Sequence, residues 1–236
     1  MSWMRQRICE GQLAVMLLTR LPAGRLVYDV PKLASAVWFF PSVGIPIGLL
    51  VGLSYIGMCY LGILPTLASI LAFSIGLIVT GAMHEDGLAD CADGFGGGQS
   101  KNQKLEIMRD SRIGSFGVLA LFFIVSARIV SLSNLPPNQA VLFAVIALAM
   151  ISRLVMVFYL TFLSPARDEG LGRDASKPEV GALVISVITC IPIIFICGSY
   201  MISCVAIIAI IAFLFSWIIR VQIGGQTGDT LSLIHI

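Results

Sequence analysis

Residues 139–162 read QAVLFAVIALAMISRLVMVFYLTF, twenty-four positions with a single charge, Arg153. About 20 consecutive apolar residues in a helix cross a hydrocarbon layer of ~30 Å, so this stretch is read as a membrane span. Comparable apolar stretches lie at 37–62, 64–83, 115–133, 181–197 and 200–219. The chain of 236 residues is 58% apolar and only 12% charged, against roughly a quarter charged in an ordinary soluble domain. No strand-length alternation of a barrel is present, and backbone groups in lipid must be satisfied within their own segment, so the spans are helices. The expected fold is an all-α, polytopic transmembrane helical bundle of six spans. A seventh is added if Ile8 to Leu21, short and interrupted by Glu10, crosses rather than forming an interfacial or re-entrant helix.

The spans pair through very short links, Leu61 to Pro65, Asn134 to Asn138 and Gly198 to Met201, which carry no Lys or Arg. The basic residues collect at the other ends: Arg5, Arg7, Arg20, Arg25 and Lys32, then Lys101, Lys104, Arg109 and Arg112, then Arg167, Arg173 and Lys177, then Arg220. By the positive-inside rule, three hairpins deliver every polar segment to the cytoplasmic face. A cleavable signal peptide is not expected, since the first apolar stretch ends at Thr19-Arg20 without a small-residue cleavage site. The net charge of +2, with no basic run interleaved with aromatics, excludes a nucleic-acid binder. The six cysteines lie mostly in apolar segments without zinc-site spacing and read as small buried hydrophobes. A homo-oligomer is compatible with the pattern.

Chemistry concentrates in Met83-His84-Glu85-Asp86-Gly87-Leu88-Ala89-Asp90-Cys91-Ala92-Asp93-Gly94-Phe95-Gly96-Gly97-Gly98. At ~100° per residue Asp86, Asp90 and Asp93 fall within about 60° of one another on a helix, over a rise of roughly 10 Å. Three carboxylates on one stripe at the end of an apolar span repel one another unless a cation compensates them, and oxygen donors of this kind suit magnesium or manganese. Gly94 and the following glycines permit a turn whose N–H groups cradle a phosphate, or serve as a flexible joint. Further on, Asp110 offers a fourth metal ligand or a base. Its neighbours Arg109 and Arg112 suit bidentate contact with phosphate, or else all three form local ion pairs at the membrane surface. His84 is a candidate base or ligand-orienting group, or a satisfied polar anchor. Arg153, ten residues inside its span, is expected to face a partner or substrate, whereas Arg128 nearer a span end snorkels. In Gly224-Gly225-Gln226-Thr227-Gly228-Asp229-Thr230, the side chains of Gln226, Thr227 and Asp229 could hold a nucleotide or sugar, or the run is an ordinary turn.

These stretches, with Thr19-Arg20-Leu21-Pro22, Phe39-Phe40-Pro41, Gly44 and Gly48, Glu106 to Gly117, and Glu169-Gly170-Leu171-Gly172, resemble in order the cobalamin synthase family, the adenosylcobinamide-GDP ribazoletransferases. The resemblance implies a magnesium-dependent enzyme of the bacterial inner membrane that joins adenosylcobinamide-GDP to α-ribazole or its 5′-phosphate and releases GMP. It casts Asp86, Asp90, Asp93 and Asp110 as metal ligands, with Asp93, Asp110 or His84 as base. Arg109, Arg112, Arg153, Gly94, Gln226, Thr227 and Asp229 become substrate contacts.

The element Asp90 to Gly94 is also similar to the acidic motif of the CDP-alcohol phosphotransferases, an alternative reading as a lipid enzyme; the Ala-Arg pair of that motif is missing after Gly94. A cation transporter is a further alternative, though transporters place such carboxylates near the midplane. One transferase domain is expected over residues 1–230. Leu231 to Ile236 resemble the translation of a sequencing adapter and are expected to be a non-native tail on a chain cut short at its C-terminus.

Overall fold

The computed structural model describes residues 3–26 and 30–235, and among these there are helices and no strand. In chain order they are α1 (Trp3–Leu18), α2 (Leu33–Ala36), a 3₁₀ turn (Val37–Phe39), α3 (Phe40–Tyr60), α4 (Pro65–Thr80), α5 (Met83–Gly97), α6 (Lys101–Ile107) and α7 (Ser115–Ser133). There follow α8 (Gln139–Phe162), α9 (Leu171–Asp174), α10 (Val180–Cys197), α11 (Ser199–Ile223) and α12 (Gly228–Leu233). Five helical stretches are long and apolar enough to cross a membrane, 33–60 being continuous through α2, the 3₁₀ turn and α3; a sixth is counted if α4 and α5 are taken together. The chain is a multi-pass helical membrane protein.

The expected span over 64–83 ends early. Gly81 and Ala82 both take left-handed backbone, with φ of 69° and 55°, and α5 leaves α4 at 90°. Such a conformation costs glycine nothing but strains alanine. A side chain on Gly81 would also strike Arg20 Nε at 2.5 Å, and the Arg20 N–H donates to the Val79 carbonyl at 2.6 Å, so the chain after α1 seals the open end of α4. With Glu85, Asp86, Asp90 and Asp93 in its 15 residues, α5 is too polar to lie in lipid, and the apolar part of the bent pair ends at Thr80.

The centre of the bundle is the antiparallel pair α3 and α8. Gly44, Gly48 and Gly52 form one small-residue stripe on α3, and a Cβ there would come within 2.6 Å of the Ala149 backbone, 2.5 Å of Ile146 Cα and 2.8 Å of Leu142 Cδ1 respectively. The two backbones touch because the stripe has no side chains, which is how membrane helices gain dispersion contact without a hydrophobic driving force. Around it pack Phe40, Val43, Ile47, Val157 and Leu160, all buried.

Helix α1 holds 16 residues with Arg5, Arg7 and Glu10 among them, too short and polar to cross, in keeping with the expected interfacial or re-entrant element. Glu10 is fully buried yet satisfied. It pairs with Arg7 at 3.0 Å and accepts from the Trp38 indole N–H at 2.8 Å and the Gln6 amide at 3.1 Å, which fastens α1 to the start of the first span.

Candidate active site

Helix α5 carries the acidic stripe and is held by three neighbours. Along α7 it runs antiparallel, since Glu85 pairs with Arg128 at 3.5 Å while Asp93, eight residues on, meets the beginning of α7. Arg128 also lies 4.7 Å over the Phe73 ring, so it is bound into the protein rather than snorkelling as expected. On another side α12 crosses α5 at Gly87, where a Cβ would stand 2.8 Å from the Asp229 carbonyl and 2.7 Å from Ser232 Cβ. The third contact is α6, which presses on Gly94: a Cβ there would meet Met108 Cγ at 2.5 Å and the Lys104 carbonyl at 3.0 Å.

Gly94, Gly96 and Gly97 therefore differ from the expected phosphate-cradling turn. They continue α5 as helix, where N–H groups point back along the axis, and Gly94 serves close packing against α6 while Gly96 accommodates the Phe116 ring. Beyond them Ser100 caps α6 by accepting the Gln103 N–H.

Asp86 and Asp90 project from one side of α5, and α12 adds Asp229 to them. That meeting is engineered by the last motif of the chain. Gln226 donates its amide to the Gly172 carbonyl at 2.7 Å and exchanges backbone hydrogen bonds with Ser164 and Ala166, pinning residues 224–227 to the loop after α8. Thr227 and Thr230 form a reciprocal cap, 2.8 and 3.3 Å, that starts α12 with Asp229 in its first turn. Gln226 and Thr227 are buried in this joint and act on the site by placing Asp229.

The carboxylates crowd one another. Burial and then the charges of Asp86, Asp229 and Asp93 push the Asp90 carboxyl up to about 7, against which Arg167 is the nearby opposing charge. Burial likewise raises Asp229, opposed by its ion pair with Arg167 Nη1 at 3.7 Å and the Thr227 hydroxyl, and raised further by Asp86. Arg167, which also donates to the Leu105 carbonyl at 3.0 Å, was invisible as a site residue: it stands alone in a basic segment, and only the fold brings it to Asp229. Asp86 and Asp229 line a cavity of about 150 Å³ reaching between α1, α2, the start of α3, α5, α8, α9 and α12.

The remaining expected residues lie elsewhere. Asp93 is buried, and its carboxylate accepts the Gly114 and Gly117 N–H groups at 2.7 and 2.9 Å. Asp110 and Arg112 close on each other at the surface, with Arg112 donating from Nη2 at 2.6 Å, Nε at 3.0 Å and its own backbone at 3.1 Å; these bonds hold the Asp110 carboxyl down at about 2. The structure does not bring Asp110 to Asp86, Asp90 or Asp229. Arg109 is exposed on the chain after α6, close enough to act electrostatically on Asp229.

His84 and Arg153 meet each other, away from the cavity. Arg153 donates to the Ala149 carbonyl at 2.8 Å and to Ser152 Oγ at 3.2 Å, and its Nη2 lies 3.4 Å from His84 Nε2. The His84 ring stacks on that of His235 with centroids 4.0 Å apart. Burial, followed by the charges of Arg153 and Arg128, pushes the His84 imidazole down to about 3, so it is neutral.

Among the described residues no three His, Cys, Asp or Glu side chains stand close enough to hold a metal ion between them. Magnesium does not need three: it commonly takes one or two carboxylates and fills its octahedron with water and substrate phosphate oxygens. Asp86 and Asp229 are hard donors in mutual repulsion at one cavity, and that donor set fits such an ion.

A family model described as cobalamin-5-phosphate synthase matches residues 11–234. Among curated relatives, the protein named adenosylcobinamide-GDP ribazoletransferase of Mesorhizobium japonicum is 36% identical over 232 residues, 98% of this chain and 90% of that one. Proteins of the same name from Bradyrhizobium diazoefficiens and Azorhizobium caulinodans are 37% and 38% identical, covering 96% and 91% of this chain and 88% and 85% of theirs. No solved structure matches.

Proposed function

We infer the chemistry from kinship: this chain belongs to the cobalamin-5-phosphate synthase family and is a transferase of cobalamin biosynthesis. It joins adenosylcobinamide-GDP to α-ribazole, or to α-ribazole 5′-phosphate, and releases GMP, giving adenosylcobalamin or its 5′-phosphate. The finer reading is that the reaction needs magnesium, that Asp86 and Asp229 hold the ion, and that the site faces the cytoplasm from the bacterial inner membrane.

The observation that carries this reading is the crowding of Asp86, Asp90 and Asp229 beside a cavity with Arg167 as the nearby cation. Bound there, magnesium would neutralise the pyrophosphate of adenosylcobinamide-GDP and the charge that develops on GMP as it leaves. Arg167, paired with Asp229, and the exposed Arg109 are placed to contact phosphate oxygens. Asp90 is the proton acceptor. Half-buried one helical turn beyond Asp86, its carboxylate would stand beside the ion, where it can take the proton of the attacking ribazole hydroxyl. Asp93 holds the end of α5 in place and keeps its charge engaged with α7. The four basic segments, all on the side opposite the short links, support the cytoplasmic orientation.

The test measures GMP release from adenosylcobinamide-GDP and α-ribazole by the full chain in membranes, before and after chelation and on restoring magnesium. Release is expected to stop with chelator and return with the ion. Asp86→Asn and Asp229→Asn should demand about tenfold more magnesium, whereas Asp90→Asn should lower kcat by roughly 10²-fold with α-ribazole and with its 5′-phosphate alike, because the product keeps the 5′-phosphate and a free ribose hydroxyl attacks in both. Unchanged turnover in chelator would overturn the assignment.

A further inference from the structure

The cavity beside Asp86 and Asp229 is unlike a phosphate site along most of its length. Leu18, Phe40 and Leu160, each nearly without exposure, form its deep part with Met156, while Leu33 and Leu171 stand at its side. The polar groups collect at the open end, where Asp86 is exposed and Asp229 half-buried. The lining holds no cationic side chain to pair a phosphate or anionic headgroup buried beyond that end, where an unpaired charge is costly. A molecule with an apolar end and hydroxyl groups behind it matches both halves.

We propose that this cavity receives a flat, apolar, fused-ring heterocycle, the base of the ribazole nucleoside, with the ribose hydroxyls left at Asp86 and Asp229. This deepens the reading above and rests on it. Size supports the choice: a cavity of about 150 Å³ walled by aliphatic and aromatic side chains is the class that encloses an aromatic ring. It is far below the several hundred Å³ that a macrocyclic ligand requires. The walls are also chemically suited, since the Phe40 ring packs edge or face against another aromatic and the Met156 thioether adapts to its outline. Burying the base there holds the nucleoside by its unreactive end and brings its sugar to the carboxylates and to Asp90, one helical turn beyond Asp86.

The consequence is that base selection and catalysis are separable. The base is chosen by Leu33, Met156 and Leu171, apolar side chains that offer a pyrophosphate no hydrogen bond. Filling the cavity should cost the nucleoside its affinity while leaving the corrinoid substrate's unchanged.

The test is equilibrium binding of α-ribazole carrying 5,6-dimethylbenzimidazole, followed by the fluorescence anisotropy of its own base, to the full chain in lipid nanodiscs. Two narrowing variants are compared, Leu33→Trp and Leu171→Trp; Leu171 is 56% exposed, so the second keeps the test alive if the first does not fold. Each should weaken α-ribazole at least about tenfold, and raise its KM in parallel, with the KM for adenosylcobinamide-GDP unchanged. Unaltered nucleoside affinity in a folded variant would overturn the proposal. So would a shift confined to adenosylcobinamide-GDP, or displacement of a nitroxide-labelled phospholipid acyl chain as the only change on narrowing. Binding needs no turnover, so the two claims fail separately: an unmodified chain that binds α-ribazole in this cavity but releases no GMP sinks the proposed reaction and keeps the cavity. Normal turnover with narrowing variants that bind α-ribazole as before does the reverse.

Discussion

The Asp93 carboxylate accepts the backbone N–H of Gly117 at 2.9 Å, and with the Gly114 N–H at 2.7 Å this seats the end of α5 on the first turn of α7. Neither glycine could be replaced by a larger residue without striking that carboxylate, so the pairing is built from both sides. A negative charge at a helix N-terminus satisfies two orphan donors and the dipole together.

Asp93→Ala should therefore lower stability by about 1–2 kcal/mol, the cost of losing such a cap. Asp93→Asn should lower it as well, because an amide accepts one of the two N–H groups and turns its own NH₂ toward the other. Thermal unfolding in detergent alongside GMP release checks this. A variant with parental stability and no turnover would instead place Asp93 in the chemistry.

The crowding at Asp90 sets a pH dependence. Its carboxyl is raised from 3.8 to about 7, so the folded protein holds a proton that the unfolded chain gives up above pH 4. Stability without divalent ion should fall as pH rises from about 4 to 7, and Asp90→Asn should flatten that limb. Magnesium, which competes with protons for these carboxylates, should raise the unfolding temperature above pH 7 and do little below pH 5. Unfolding scans across pH with and without the ion decide it; equal effects of magnesium at both ends would sink the account.

The neutral His84 gives a limb of opposite sign. Its imidazole is lowered to about 3, so below pH 6.5 the unfolded chain takes up a proton that the folded protein refuses, and this contribution to stability is lost as the pH falls toward 3. His84→Phe should remove that part of the acid sensitivity. Arg153→Met should weaken it, because the guanidinium 3.4 Å away is one of the charges that keep the proton off. Acid denaturation midpoints of the three proteins measure the coupling, and identical midpoints would refute it.

On α3 the same substitution should act with opposite signs at two glycines. Gly48→Ala places a methyl 2.5 Å from Ile146 Cα and should cost about 1–3 kcal/mol by overpacking. Gly57→Ala meets nothing within 4 Å and should stabilise by up to ~1 kcal/mol through helix propensity alone. Unfolding of the two variants in detergent is the comparison.

Much of this was legible from residue order alone. The short links gave the span ends to within a few residues, as at Tyr60 and Pro65, because an apolar run and its polar or proline punctuation are local properties. The shared face of Asp86 and Asp90 followed from helical periodicity. What periodicity cannot carry is who meets that face. Asp229 lies 139 positions beyond Asp90, the His84 and Arg153 contact spans 69, and the Glu10 and Trp38 bond 28. Arg153 signalled a buried partner, since a guanidinium in an apolar helix needs one, but nothing local named His84 as the side chain it meets. The glycines after Asp93 misled in the other direction: their backbone freedom suggested a turn, and the helix continued because α6 and Phe116 need the space.

The acidic pair on α5 is synthesised well over a hundred residues ahead of the aspartate on α12. A nascent chain therefore carries Asp86 and Asp90 through the making of α7 and α8 without the third carboxylate. The cluster is complete only once residues 224–230 dock on the loop after α8 and set α12 beside α5.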